Sequence, residues 1–362
     1  MTTGRLTRSP ANPTSSSAPR PWASLTERPG TRDAGLSRRQ AFALVLLAAC
    51  LWGTSGTAYH LLRGVAEVDA LTVVALRASA GAVLLWGWLA ITDRTALRVA
   101  WADLPRLIGF GMGSLGLMYL ALFTAFDLTS VAVGTVLLYL APALVTVGAA
   151  LFLHEPLTRR KLIALIATFS GCLLVVELYQ PQNLVGNALG IAWGLVAAAA
   201  YAAYSLGAKP LLARYRPVTV LAYALLPAAV GLLAVKLLTA PDAWPPPSGL
   251  LAISAYGGIV VTIAPYGLYM LALQRLPSSE ASIVATLEPA VAVVLAGALL
   301  GERLAPLQML GTIGILGGVV LLAWPASTAE APSPVRSMLE SITGMVSGWR
   351  YRLAASLSGR AA

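Results

Sequence analysis

Glu288 is the residue in this chain whose chemistry demands most of its surroundings. It sits about ten residues into an unbroken apolar stretch, 279–300, and Pro289 follows it directly. An ionised carboxylate at that depth in hydrocarbon costs roughly 3 kcal/mol or more unless it is paired, hydrated or protonated. A carboxylate kept there for function holds a solute amine, lines an ion path or relays protons. The competing reading is a protonated Glu288 that hydrogen-bonds a carbonyl freed by Pro289 and so pins a kink. Arg77 is the one basic residue well inside an apolar stretch, 70–92. It binds a carboxylate or serves as counter-ion to Glu288, or else it snorkels to the nearer interface.

The residues around these two share their depth. Pro142 and Pro289 fall mid-stretch in corresponding places, and each removes an intrahelical hydrogen bond and frees a carbonyl. Interruptions at matching places of two halves point to a transport site; a static packing kink is the alternative. Trp52, Tyr139, Tyr201 and Tyr204 also lie near mid-span, whereas aromatic belts form at the two interfaces. They either line a central cavity, where their faces hold an organic cation or ring, or simply pack helices. Ser55 and Thr286 are small polar residues at similar depth and join the candidate binding set. Tyr119 and Tyr266 fall nearer span ends and read as belt or gate residues.

Metal and cofactor chemistry find little here. His60 and His154 lie far apart, and Cys50 and Cys172 both fall in apolar stretches, where a thiol behaves as a small apolar group. A disulfide between them requires the first and fifth stretches to touch. No P-loop is present, so ATP is not the expected driver, and no cofactor is expected. The pair His154-Glu155 lacks a neighbouring nucleophile, which argues against a membrane enzyme such as a lipid-modifying transferase.

The elements that position these residues are apolar spans. The chain is 57% hydrophobic and 11% charged, with mean hydropathy +0.76. Soluble domains are about 25% charged, so hydrocarbon is the main solvent here. A spanning helix needs about 20 apolar residues. Ten stretches qualify, near 41–62, 70–92, 105–126, 129–153, 161–178, 187–208, 218–239, 249–272, 279–300 and 306–324. They lack the period-2 alternation of barrel strands. The expected fold is therefore an all-α polytopic membrane protein.

Charge gives the expected orientation. With the N-terminus in the cytoplasm, 21 of the 25 Lys and Arg residues fall on the cytoplasmic side and three on the other, with Arg77 inside a span. That split follows the positive-inside rule and puts both termini in the cytoplasm. The net charge of +10 thus reports topology rather than nucleic acid, and anionic lipid headgroups are its expected partner. Residues 1–40, rich in Pro, Ser, Thr and Arg, read as a disordered cytoplasmic tail without a cleaved signal. In the tail 325–362, Met338, Leu339, Ile342, Met345, Val346, Trp349 and Leu353 recur at helical spacing beside Arg350 and Arg352. This stripe reads as an amphipathic helix on the membrane surface, or as a frayed polar tail.

The second half of the chain repeats the first. At an offset of 147, Pro142 falls on Pro289, Glu155 on Glu302, Leu157 on Leu304 and Gly171 on Gly318. Near the start of each half, "LAACLWGTSGTAY" faces "VAAAAYAAYSLGA", with Trp52 opposite Tyr201. Two domains follow, 41–178 and 187–324, each of five spans. An odd number of spans makes the second copy cross in the opposite sense, an inverted-topology repeat. Such halves open to either side by mirrored motions, with a small-molecule site between them near the midplane. Glu155 and Glu302 occupy short loops, where capping a helix or pairing with Arg159 or Arg303 is the expected role. Gly111, Gly113 and Gly116, and Gly311, Gly314, Gly317 and Gly318, fit close helix approach.

The text of the two copies resembles the drug/metabolite transporter superfamily, EamA type. The matching stretches are "LLAACLWGTS", "LTVVALRASAGAVLL", "LYLAPALVTVGAALFLHEPLT" and "TLEPAVAVVLAGALLGERLAPLQMLGTIGILGGVVLL". The resemblance implies a ten-helix bundle whose last helix in each repeat packs peripherally, often at dimer contacts. It implies transport of small organic solutes, from amino acids to other metabolites. In place of the family's Gly-Glu turn, the first copy carries His154-Glu155-Pro156. The combined expectation is a secondary active exporter in a bacterial cytoplasmic membrane, with proton coupling through Glu288. An uncoupled facilitator or channel-type protein is the alternative.

Overall fold

The computed structural model describes residues 35–63, 69–184, 187–242, 244–301 and 303–324. The segment 1–34, Glu302 and the stripe 338–353 lie outside the described residues. Every long element among the described residues is helical. The first half contains α1 (Arg38–Arg63), α2 (Ala70–Thr92), α3 (Trp101–Leu128), α4 (Val131–Leu138), α5 (Ala141–Phe152) and α6 (Arg159–Val175). The second contains α7 (Ala188–Leu212), α8 (Pro217–Thr239), α9 (Pro247–Leu273), α10 (Ser278–Ala285), α11 (Glu288–Leu300) and α12 (Pro306–Ala323). Helix α1 starts three residues before the expected span. Among the described residues nine helical stretches are long and apolar enough to cross a membrane, with α4–α5 and α10–α11 each counted as one stretch. Helix α6, at the fifth expected span, has 17 residues and is not among those nine.

Local chemistry sets the helix ends. Asp69 accepts from the Thr72 N–H (2.8 Å), Ser130 from Val133 (3.1 Å) and Asn187 from Gly190 (2.8 Å), each satisfying an orphan donor of the first turn. Pro217, Pro247 and Pro306 open α8, α9 and α12, where a missing N–H costs nothing. Gly301 ends α11 at φ 72°, and His154, its counterpart at offset 147, takes the same left-handed turn at φ 56°. The departure from glycine at 154 therefore keeps the turn.

The two prolines break their spans in the same register. Helix α4 stops at Leu138 and α5 starts at Ala141, while α10 stops at Ala285 and α11 starts at Glu288. Both restarts put proline in the first turn. The third span of each half also widens into a π-helix, at Gly111–Gly116 in α3 and at Ile253–Gly257 and Ile259–Ile263 in α9. Such widenings are rare and concentrate at functional sites.

Packing runs between the halves and repeats their correspondence. Helix α1 packs on α9, α10 and α11, and its counterpart α7 packs on α3, α4 and α5. Helix α2 packs on its own counterpart α8, and α6 on its counterpart α12. The α6–α12 seam is tight. A methyl added at Gly171 would stand 2.5 Å from the Gly311 carbonyl oxygen, and one at Gly311 would stand 2.6 Å from that of Gly171. Gly318 likewise faces the Ala164 carbonyl oxygen at 2.9 Å, whereas Gly113 and Gly317 face open space. Small residues here let two backbones approach.

One contact departs from the correspondence. The half-helices α5 and α10 pack together, but among the described residues their counterparts α11 and α4 make at most marginal contact. The α5–α10 end is also the basic end, and polar bonds tie it. Two N–H groups of α10, Ser278 (2.6 Å) and Ser279 (3.2 Å), donate to the Glu155 carboxylate, as does the Ser279 hydroxyl (2.5 Å). Lys161 Nζ stands 3.8 Å from the same carboxylate, and Arg38 pairs with Glu280 at 2.7 Å. Glu155 thus caps a helix of the other half, and Lys161 rather than Arg159 is its ion partner. Pro277 precedes α10 and has no side chain to cap it, so the cap is borrowed.

At the same end the 93–103 segment is held by the α7–α8 corner. Asp103 accepts from Arg214 (3.0 Å) and Tyr215 (2.9 Å), and Leu97 O from Tyr223 (2.9 Å). Asp93 pairs with Arg216. The Thr95 hydroxyl, followed by the Arg216 guanidinium, holds the Asp93 carboxyl down at about 2.

Candidate functional site

The helix breaks, α1, α2, α3, α7 and α9 converge on one aromatic cluster. Trp52 of α1 stands edge-on to Tyr266 of α9, with ring centroids 5.0 Å apart, and lies 5.9 Å from Tyr269. Tyr204 of α7 is 5.5 Å from Tyr266 and stacks on Phe110 of α3 at 5.4 Å. Tyr119 of α3 and Tyr266 hydrogen-bond through their hydroxyls. Ser205 and Tyr269 share a second hydroxyl pair at 2.9 Å. Tyr119 and Tyr266 are 4% and 5% exposed. They are core residues, which corrects the expectation of belt positions.

The charged groups border this cluster. The Arg77 guanidinium carbon lies 4.6 Å from the centre of the Tyr119 ring. That is cation–π geometry, and it keeps the charge within the bundle. Glu288 opens α11 and is partly exposed. Arg77 and the Tyr139 hydroxyl are the groups that act on its carboxyl electrostatically, and Tyr139 also neighbours Tyr201 and Cys172. Cys50 and Cys172 are free thiols. Gly53, beside Trp52, lets α1 lie against the break: a methyl there would stand 2.7 Å from Val291 Cβ and 2.9 Å from the Glu288 carbonyl oxygen.

The remaining expected residues divide. Ser55 and Arg77 line a cleft of about 40 Å³ with Tyr256 and apolar side chains of α1, α2 and α9. The Tyr256 hydroxyl donates to Thr54 at 2.5 Å. Thr286 is 2% exposed, and its hydroxyl turns back onto the Ile283 carbonyl at 2.5 Å, closing the break rather than lining the cleft. Pro142 and Pro289 are buried in the first turns of α5 and α11.

Among the described residues five buried polar atoms have no hydrogen-bond partner: Trp52 Nε1, Thr57 Oγ1, Arg77 Nε, Ser79 Oγ and Tyr204 OH. All five can donate, and native interiors leave few such groups unpaired. Among the described residues no cluster of His, Cys, Asp and Glu could hold a metal.

Sequence reasoning missed Tyr119, Tyr266, Tyr269 and Phe110 as members of this site. A usable signal existed for the first two, which are counterparts at the repeat offset of 147.

A duplicated helical bundle with membrane-spanning stretches and a polar, aromatic cluster between its halves defines a multi-pass integral membrane protein of the transporter class. Comparison with known families makes this specific. The chain belongs to the EamA-like transporter family, whose model matches residues 39–177 and 188–324. An uncharacterized transporter of Archaeoglobus fulgidus is 26% identical over 282 residues, 77% of this chain and 97% of that protein. The uncharacterized transporter YwfM of Bacillus subtilis is 30% identical over 292 residues, 79% of this chain and 96% of its own length. The threonine/homoserine exporter RhtA of Salmonella typhimurium is 29% identical over 253 residues, 69% of this chain and 80% of that protein. A solved crystal structure shares the fold with a TM-score of 0.69 at 20% identity, covering 79% of this chain and 96% of that one.

Proposed function

We propose that this protein is a secondary active exporter of small organic metabolites such as amino acids. In this reading ten helices form two inverted five-helix repeats, and the solute site lies near the midplane between them. The observation that carries the reading is the Tyr119–Tyr266 bond, a contact between repeat counterparts at the centre of the aromatic cluster. Two halves related by a two-fold axis in the membrane plane meet in that way. The unequal ends support alternating access: α5 and α10 are packed, whereas α4 and α11 are nearly apart. With the basic end in the cytoplasm, this is an outward-open arrangement in a bacterial cytoplasmic membrane, with anionic lipid at the basic end. A homodimer is compatible with the apolar outer faces.

Glu288 is the proposed proton-coupling group, because it is a carboxyl at mid-span on a helix break. The relatives named threonine/homoserine exporters make those amino acids the first solutes to test. The experiment is solute flux in proteoliposomes with and without an imposed pH gradient, for the native protein and Glu288→Gln. Flux enhanced by the gradient, and insensitive to it in the variant, supports coupling; full gradient dependence in Glu288→Gln overturns it. A second reading, uncoupled facilitated exchange, is favoured by the electrostatic reach of Arg77 to Glu288, since a static counter-ion needs no proton.

A further inference from the structure

The buried cations of this protein differ in one respect. Lys236 is fully buried, yet its ammonium donates to the Ala240 and Pro241 carbonyl oxygens and sits 4.0 Å from the centre of the Trp244 ring. Lys161 donates to the Pro156 carbonyl oxygen at 3.0 Å and faces Glu155 at 3.8 Å. Lys209 donates to two carbonyl oxygens, of Leu273 and Leu276, both at 2.6 Å. Arg77 makes no ion pair within 4 Å among the described residues. Its Nε is buried without a hydrogen-bond partner, and the ring of Tyr119 is the floor beneath it.

We propose that Arg77 is the carboxylate-recognising group of the solute site, and that the transported solutes carry one carboxylate. This rests on the transport reading above. The buried Nε of Arg77 has no acceptor, and Nε with a neighbouring N–H of the guanidinium matches a carboxylate with two parallel N–H···O bonds. The site is rich in unmatched donors: Trp52 Nε1, Tyr204 OH and Arg77 Nε belong to the same cluster and lack acceptors. A carboxylate supplies acceptors to these donors, and within 4 Å of Arg77 no carboxylate among the described residues already does so. A phosphate monoester would bring two negative charges to one cation in a low-dielectric site, so the monoanion fits better. Arg77 also lines the small cleft that Ser55 and Tyr256 share. Its packing depends on Gly257 of α9, where an added methyl would stand 2.8 Å from Arg77 Cβ.

The test compares matched pairs on the full chain: L-threonine with L-threoninamide, and L-phenylalanine with L-phenylalaninamide and phenylethylamine. Flux in proteoliposomes is measured beside ligand-induced thermal stabilisation of the purified protein. In the native protein the acids are bound and moved at least tenfold better than their carboxylate-free partners. Arg77→Gln removes that preference, while Arg77→Lys, which keeps the charge but not the fork, retains part of it. Equal handling of acids and amides by the native protein overturns the proposal and needs no variant. So does an Arg77→Gln effect that is the same for both, or the absence of stabilisation by either acid. Gradient-dependent flux of phenylethylamine alone leaves transport standing and removes the subsite. Stabilisation by the acids without flux of any solute keeps the subsite and removes transport.

Discussion

Tyr119 and Tyr266 occupy the same place in the two repeats, 147 residues apart, and their hydroxyls bond to each other. A bond between counterparts has no direction imposed by the fold, so either oxygen serves as donor. Tyr119→Phe and Tyr266→Phe should therefore cost alike, each leaving one buried hydroxyl unmatched, at about 1–3 kcal/mol. The double variant should cost less than the two singles together, because no orphan remains. Thermal unfolding of the four proteins as a double-mutant cycle checks this; additive losses would show that the hydroxyls are not coupled.

The Glu155 cap on α10 joins the halves at the basic end through three bonds to Ser278 and Ser279. Helix α10 leads within eight residues to the break that carries Glu288. Glu155→Gln should loosen this closure and expose Ser282, which is fully buried. With Cys50 and Cys172 replaced by Ser, a Ser282→Cys reporter should react several-fold faster with an impermeant maleimide supplied to the basic end. Unchanged labelling would mean that apolar packing of α5 on α10 closes this end without the carboxylate.

Glycine at 53 sets how closely α1 approaches the α11 break. Gly53→Leu should abolish transport and lower stability by about 1–3 kcal/mol, the usual cost of overpacking. Gly171→Leu should cost at least as much, since a backbone carbonyl oxygen stands 2.5 Å from the added carbon, closer than any atom at Gly53, while sparing the aromatic cluster. Detergent-solubilised thermal stability, read beside flux, separates the two.

The left-handed turn at His154 gives a backbone test. His154→Val should destabilise the protein by about 1–2 kcal/mol, because a β-branched residue resists positive φ. His154→Gly should keep the turn. The same measurement on both variants decides it: equal losses would put the role of 154 in its side chain rather than in its φ of 56°.

Nine of the expected spans, the offset of 147 and both proline breaks were legible in the sequence, because hydropathy and Pro chemistry are local. The burial of Tyr119 was not. It lies equally far along the apolar run 105–126 and the helix Trp101–Leu128, so what was hidden is the face of the helix it occupies. A π-helix at Gly111–Gly116 just before it adds a residue to the turn and changes the face on which later side chains fall. Periodicity at 3.6 residues cannot anticipate that. The partner of Glu155 was equally hidden. Its loop position was readable, but the helix it caps belongs to the other repeat, a long-range contact that spacing does not encode.

The exchange of contacts between halves has a consequence for biosynthesis. Helix α1 finds its neighbours in α9, α10 and α11, and α6 finds its tightest one in α12. A ribosome therefore delivers the entire first repeat before any of these surfaces can be matched. Until α12 emerges, Gly171 and its neighbours face lipid or a holding factor. Maturation of this protein is a late event, completed only once α12 has left the ribosome rather than accumulated along the way.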